Sequence, residues 1–184
     1  MHYDSVLSQI KRDILLKRKL GPIATLPCNF VCSPLGAFQH KRKSKVRVIH
    51  DLSWPLGDSV NDGVLKDEFA MQYISISFAI DLIKKYGKGT LFAKLYLADA
   101  HRQIRVRKED WPLLGSHIDF NGKTLYFVDT VLTFGLRSSA KIFSDFADAI
   151  SFIMKENGTS DVDHYLDDYL TQFIRVSPES RHYA

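Results

Sequence analysis

The sequence lacks the features that would tie it to a membrane, a disulfide framework or a zinc site. Its two cysteines, Cys28 and Cys32, have no second pair at zinc-ligand spacing, so a metal role for them is not expected. The apolar stretch at residues 73–83 is short and broken by Asp81, so no transmembrane helix is predicted. The N-terminal residues lack the apolar centre of a signal peptide, which favours an intracellular location, cytoplasmic or nuclear.

Charge is distributed unevenly along a chain whose net charge is +4. Residues 1–50 carry ten Lys or Arg against two Asp, whereas the remainder carries fifteen against nineteen acidic residues. The basic excess is sharpest in QHKRKSKVR, residues 39–47. A basic block alone is more often a solvated face than a binding site. Combined with an acidic second half, the basic block suggests that one part of the molecule binds phosphates and that carboxylates cluster in another.

Three segments have the apolar spacing of amphipathic helices. They are residues 4–19, residues 77–87 with Ser77 as N-cap and Gly87 past the end, and residues 139–158 with Ser138 as a possible cap. In the last of these, the residues predicted to face inward are Phe143, Phe146, Ala147, Ile150 and Ile153.

Strand patterns alternate with these helices. Two short strands joined by a basic turn are predicted at residues 37–52, followed by a loop at 53–65. Residues 90–97 suit a central strand, and Asn121-Gly122 predicts a hairpin turn. A last hairpin, at residues 162–176, carries Asp167 and Asp168 at its tip. This order predicts an α+β fold, with a sheet that has helices on one face.

Asp167 and Asp168 form an acidic pair among apolar and aromatic residues, in the stretch DVDHYLDDYL at residues 161–170. Adjacent carboxylates repel, and burial would push one of them towards its neutral form. A divalent cation reverses this cost, and Mg²⁺ binds one or two carboxylates together with substrate phosphates. The pair alone is compatible with a metal site and with an acidic turn that binds nothing.

Five ordered blocks give the pair a more specific interpretation. They are SPLGAFQHKRKSKVRVIHDLS at residues 33–53, SVNDG at 59–63, AKLYLADAHRQI at 93–104, LTFGLRSSAKIF at 132–143 and HYLDDYL at 164–170. Together they resemble the reverse transcriptases (RNA-directed DNA polymerases) of retrotransposons, including tyrosine-recombinase (DIRS-like) elements. The resemblance implies an α+β fold of fingers and palm, with an antiparallel palm sheet that carries helices on one face.

The resemblance also implies nucleotidyl transfer with Mg²⁺ as cofactor, and an RNA or DNA template, its primer and deoxynucleoside triphosphates as partners. Asp167 and Asp168 match the family's catalytic, metal-binding pair. The residues that match its nucleotide-binding positions are Lys45, Arg47, Asp99, Ala100, His101, Phe134 and Gly135. Arg47 would bind the triphosphate, which suits a guanidinium, and Lys41 and Lys43 are alternatives to Lys45.

The chain departs from the family pattern at its most important position. The family's first palm strand reads K-x-D-L-x-x-A-Y, whereas residues 94–101 read KLYLADAH, so Tyr96 replaces a metal-binding Asp. A neutral phenol is a poor Mg²⁺ ligand, and Asp99 matches a separate family position. Three milder departures are His101 for Tyr or Phe, and Thr133 and Ala140 for Pro. We therefore expect impaired catalysis.

By the same resemblance, residues 1–30 form an N-terminal helix and lead-in, 31–88 a fingers-like segment, and 89–184 a palm-like segment that stops before the family's thumb. Three alternatives to an impaired polymerase stay open. The chain is a non-catalytic nucleic-acid-binding module, an active fragment completed by another chain, or an unrelated α+β domain with an acidic turn.

The basic block predicts weak nucleic-acid binding without sequence preference. Replacing Lys41, Arg42, Lys43, Lys45 and Arg47 with Gln should flatten the salt dependence of binding, because each phosphate that is no longer neutralised removes about 0.9 from the log–log slope. Fluorescence anisotropy over a salt series measures this slope, with a variant that lacks five lysines elsewhere as the charge control. Equal binding by the wild-type chain and the Gln variant would show that the block is only a solvated face.

Overall fold

The computed structural model describes residues 3–39, 46–71 and 74–173, and over these residues the fold is α+β. The helices are α1 (Tyr3–Leu15), α2 (Ile76–Tyr86) and α3 (Ser139–Glu156). The strands are β1 (Lys19–Leu20), β2 (Cys32–Ser33), β3 (Leu35–Gln39), β4 (Val46–His50), β5 (Leu91–Tyr96), β6 (Gly115–Phe120), β7 (Lys123–Asp129), β8 (Val162–Tyr165) and β9 (Asp168–Phe173). Short 3₁₀ turns lie at Val60–Gly63, Asp67–Phe69, Ala100–Gln103 and Lys108–Leu114.

The described strands form three sheets. The first has the order β1-β7-β6-β2 and is mixed, because β2 runs parallel to β6. The second is the hairpin of β3 and β4, and the third has the order β5-β9-β8 and is antiparallel throughout. The parallel pairing joins Cys32 to Gly115, which lie far apart in the chain. Local sequence patterns do not reveal such a pairing.

The chain divides into two compact units, each made of two chain segments. The first unit contains residues 1–70 and 101–142, and the second contains residues 71–100 and 143–184. The mixed sheet and the β3–β4 hairpin belong to the first unit, and the antiparallel three-stranded sheet belongs to the second. The predicted boundaries at residues 30 and 88 stay a prediction.

In the first unit, α1 packs against the hairpin of β6 and β7. Val6 and Ile10 of α1 are buried with Ile118 of β6 and Phe127 of β7. The predicted turn at Asn121-Gly122 is confirmed, with φ of 50° and 73°, which is the backbone of a type I′ turn. Leu7 and Ile14 of α1 are partly buried against this cluster, whereas Leu15 is exposed.

A buried carboxylate, Asp129 at the end of β7, joins several elements of the first unit. Lys19 Nζ lies 2.5 Å and His50 Nδ1 3.4 Å from its Oδ2, and Arg102 contacts Oδ1 at 2.8 Å. Arg102 also contacts Asp13 of α1 at 3.1 Å. Burial would raise the pKa of Asp129, but the positive charges of Lys19 and Arg102 and the contact with His50 hold it well below its usual range. The charge is thus compensated where it is buried.

In the second unit, α3 covers one face of the antiparallel sheet. Tyr169 donates a hydrogen bond to the Ala147 carbonyl at 3.3 Å, and Phe143 and Ala147 are buried as predicted. Phe146 and Ile153 were predicted to face inward, but they are 53% and 58% exposed. The apolar stripe of α3 is broader than the surface that covers it.

The helix ends and the position of β5 differ from the sequence-based predictions in detail. Helix α1 ends at Leu15, before Lys17, whose φ is 55°. Ser75, not Ser77, caps α2 by accepting a hydrogen bond from the Ser77 amide, and Gly87 ends the helix as predicted. Strand β5 lies at an edge of its sheet, not at the centre. Among the described residues, the helices are too short or too polar to cross a membrane.

Asp129→Asn should destabilise the first unit by about 3–5 kcal/mol, because buried Lys19 loses its counter-charge and Arg102 keeps only Asp13. Denaturant unfolding measures this loss. Since the folded-state pKa of Asp129 lies below its unfolded value, its stabilisation is present above pH of about 4 and is lost as the pH falls further. The wild-type chain should therefore lose stability in this acid range, and the variant should lose less.

Asp110→Asn is the matched control, since Asp110 forms an exposed ion pair with Arg107 in the same unit. Its cost should stay below about 1 kcal/mol. Similar losses in the two variants would contradict the role of Asp129.

Candidate functional site

The pairing of β5 with β9 brings the predicted catalytic positions of the second unit together. Tyr96 lies directly opposite Asp168, and the Leu97 amide donates a hydrogen bond to the Asp167 carbonyl at 2.9 Å. Tyr165 of β8 also lies opposite Asp168, so the central strand places this carboxylate between two tyrosines on one face. The predicted positions 96, 167 and 168 therefore converge.

The hairpin turn that presents the acidic pair is Leu166-Asp167. Asp167 lies in the turn, and Asp168 is the first residue of β9. Leu166 takes a φ of 54°, a strained backbone for a residue other than glycine. His164 lies beside the turn, with Nδ1 3.1 Å from the Leu166 carbonyl and Nε2 3.0 Å from a carboxylate oxygen of Asp148 on α3. Both ring nitrogens face acceptors, so His164 joins the turn to α3.

The phenol of Tyr96 is a neutral hydrogen-bond donor to the pair. It hydrogen-bonds Asp167, and partial burial together with the charges of Asp167, Asp99 and Asp168 raises the pKa of Tyr96 above its ordinary value of 10. The hydroxyl is protonated at neutral pH even at the ordinary value, and the raised pKa reinforces this. Tyr96 therefore offers Asp167 a hydrogen-bond donor and no negative charge.

Lys94 supplies a cation to the other carboxylate. Its Nζ lies 2.9 Å from Asp168 Oδ2, and both side chains are partly exposed. Lys94 and Tyr96 are two residues apart on β5, so they lie on the same face of the sheet as Asp168. The ammonium thus relieves the repulsion between the two adjacent carboxylates.

Neither Tyr96 nor Lys94 can serve as the third carboxylate ligand that the sequence resemblance implies for Mg²⁺. Mg²⁺ requires oxygen ligands in near-octahedral geometry, and carboxylates are the protein ligands that it usually binds. Here a phenol donor occupies one carboxylate and an ammonium the other. Within the residues that the structure describes, His, Cys, Asp and Glu form no group of three or more suited to a metal ion.

Asp99 and Ala100, two of the predicted nucleotide-binding residues, follow β5 in the second unit. Their φ values are 61° and 33°, and the Ala100 amide donates to the Leu97 carbonyl. Ala100 is buried at 4% exposure, whereas Asp99 is half-buried. The chain therefore turns sharply here, and Asp99 lies beyond the end of the strand, as the sequence predicted.

In the first unit, His101, Phe134 and Gly135 lie together. The rings of His101 and Phe134 meet edge to face with centroids 4.2 Å apart, and Phe134 is 54% exposed. Gly135 has a φ of 112°, and a Cβ there would overlap the His50 carbonyl oxygen. Glycine is thus required by both the backbone and the space.

The predicted triphosphate-binding residues are described only in part. Arg47 lies exposed on β4, opposite Phe38 of β3. Lys45 and its alternatives Lys41 and Lys43 lie outside the described residues. The contribution of this hairpin to phosphate binding stays a prediction.

Several residues that contact the candidate site residues were not predicted from the sequence. Lys94 carries a signal in retrospect, because it is two residues from Tyr96 on a strand and must share its face. His164 and Asp148 are 16 residues apart and carry no such signal. The side-chain partners of Asn61, in the SVNDG block, were also not predicted.

Comparison with known proteins adds no relative: no protein-family model matches the sequence, and no curated protein is significantly similar to it.

Asp168→Asn should change the stability of the second unit by less than about 1 kcal/mol. The ion pair with Lys94 that it removes is partly exposed and contributes little, and the repulsion from Asp167 disappears with the charge. Thermal melts with and without Mg²⁺ measure this, and neither protein should respond to the ion.

Asp81→Asn provides the comparison, because Asp81 pairs with Lys84 on exposed α2 and has no adjacent carboxylate. A Mg²⁺-dependent rise in Tm in the wild-type chain that Asp168→Asn alone abolishes would show that the hairpin does hold the ion.

Proposed function

We propose that the chain is a fingers-and-palm domain of the reverse-transcriptase type whose nucleotidyl transfer is impaired at Tyr96. The order of the five sequence blocks supports this proposal. The observation that carries it is the register of β5 and β9, in which residue 96 lies opposite Asp168. A carboxylate at position 96 would face both members of the acidic pair, as the resemblance requires of the third metal ligand.

The residues present would do different work from that of an active polymerase. Tyr96 donates a hydrogen bond to Asp167, and Lys94 neutralises Asp168. These contacts compensate the acidic pair without a metal ion. The hairpin can therefore persist as a folded element in a chain that does not transfer nucleotides.

A non-catalytic nucleic-acid-binding module is the second candidate, and the exposed tyrosines favour it. Tyr96 and Tyr165 are 63% and 49% exposed on the sheet face that carries Asp168. Exposed aromatic rings are stacking surfaces for the bases of single strands. On this proposal the basic block of the N-terminal half would supply phosphate contacts.

Tyr96→Asp should give the chain Mg²⁺ binding at least about tenfold tighter than that of wild type, because it places a third carboxylate opposite Asp168. Isothermal titration calorimetry measures the affinity. Tyr96→Asn is the matched control, since it removes the ring without adding charge. Lys94→Gln in the Tyr96→Asp background should tighten binding further, because the competing ammonium is removed.

Activity is compared in chains extended with the thumb of a related element, at saturating Mg²⁺. RNA-templated primer extension is expected from the extended Tyr96→Asp variant and not from the extended chain that keeps Tyr96. Equal Mg²⁺ binding or equal extension by the two would show that position 96 is not the metal position, and the proposal would fail. Salt-dependent binding of single-stranded RNA by the unextended chain, lost in Tyr96→Ala and Tyr165→Ala, would support the second candidate.

A further inference from the structure

The side chain of Asn61 hydrogen-bonds the main chain of a distant loop at two points. It is buried at 3% exposure. Its Nδ2 donates to the Gly135 carbonyl at 2.7 Å, and its Oδ1 accepts from the Arg137 amide at 2.7 Å. The side-chain amide thus pairs with the main chain on both sides of Leu136, as a neighbouring strand would. These partners are 74 and 76 residues away in the sequence.

The turn that presents Asn61 is held by its own hydrogen bonds. Ser59 and Asp62 form a capping box around the 3₁₀ turn Val60–Gly63. Asp62 Oδ2 also accepts from the Gly57 amide at 2.9 Å, and hydrogen bonds from Ser59 lower the pKa of Asp62. Nδ2 of Asn61 donates in addition to Ser53 Oγ at 2.8 Å. The turn that carries Asn61 is therefore shaped by its own hydrogen bonds, independently of the loop.

The loop at residues 134–137 also donates hydrogen bonds to the turn that carries Asn61. The guanidinium of Arg137 donates to the Asn61 and Val64 carbonyls. Gly135 packs on the His50 carbonyl, where no side chain fits. Phe134, the residue before Gly135, is exposed, and its ring contacts the ring of His101. The backbone on the C-terminal side of Phe134 is thus held by a polar contact and by close packing.

We propose that Asn61 is a positioning residue that sets the place of Phe134 through Gly135 and Arg137. The SVNDG block is then a turn built to present one amide: Ser59 and Asp62 shape it, and Asn61 makes the contact. The expectation that Phe134 contacts a deoxynucleoside triphosphate rests on the proposed function. The positioning of Phe134 by Asn61 does not.

Fluorine NMR on chain labelled with 4-fluorophenylalanine tests the proposal, with the Phe134 signal assigned by Phe134→Leu. The ring of His101 shifts this signal, so His101→Ala calibrates the displacement. Asn61→Asp is nearly isosteric but turns the donor to Gly135 into a repelling oxygen, and it should move or broaden the Phe134 signal. The other phenylalanine signals should stay in place and report that the fold persists.

Ser53→Ala is the matched control, because it removes a hydrogen bond of the same Asn61 amide on the side away from the loop. It should leave the Phe134 signal unchanged. A Phe134 signal that is equally unmoved in Asn61→Asp would overturn the proposal, as would equal displacement in Ser53→Ala.

If a variant fails to fold, amide hydrogen exchange in the wild-type chain still tests the proposal. The Arg137 amide should be protected, because its acceptor is the buried Asn61 Oδ1, and it should stay protected in Ser53→Ala. Exchange at the rate of an open loop would overturn the proposal.

A final arm separates this inference from the proposed function. Deoxynucleoside triphosphate should perturb the Phe134 signal of the wild-type chain, and Asn61→Asp should require about tenfold more of it, as expected when one buried hydrogen bond is removed. If the variants displace the signal as expected but the nucleotide perturbs none, the positioning of Phe134 is supported and the nucleotide-binding proposal fails.

Discussion

The first unit depends on one buried charge, the carboxylate of Asp129 at the end of β7. Lys19, Arg102 and His50 converge on it from three parts of the chain, and Arg102 extends the contact to Asp13 of α1. Removing a buried carboxylate from such a group leaves cations without compensation, so its loss would destabilise the elements that it joins. His50 also supplies the carbonyl on which Gly135 packs. His50 therefore contacts both the buried carboxylate and the 134–137 loop.

The second unit depends on strand register. Because side chains alternate between the two faces of a strand, pairing Tyr96 with Asp168 also places Lys94 on the face of the acidic pair and Leu95 on the opposite one. A slip of one residue would remove both Lys94 and Tyr96 from Asp168. The compensation of the hairpin by a phenol and an ammonium is thus a property of the pairing, not of any single residue.

Features decided by neighbouring residues could be predicted from the sequence. The Asn121-Gly122 turn, the end of α2 at Gly87 and the strand at Leu91–Tyr96 follow from backbone preferences and local patterning. The prediction was wrong where burial depends on a partner. Phe146 and Ile153 belong to the apolar stripe of α3, but helical periodicity cannot say how much of a stripe is covered. The same limit explains why the parallel pairing of β2 with β6 was not predicted, since the two strands lie far apart in the chain.

By itself, the sequence determined the order of the motifs, the adjacency of Asp167 and Asp168, and the tyrosine at position 96. Those facts are written in single residues and their spacing, and they carry the resemblance to reverse transcriptases. Only the tertiary structure decided that Lys94 neutralises Asp168, that His164 joins the hairpin turn to α3, and that Asn61 holds Gly135 and Arg137. The physical reason is that a hydrogen bond or ion pair requires atoms within about 3 Å. Strand register and helix packing set such distances between residues far apart in the chain, and a one-dimensional pattern does not record them.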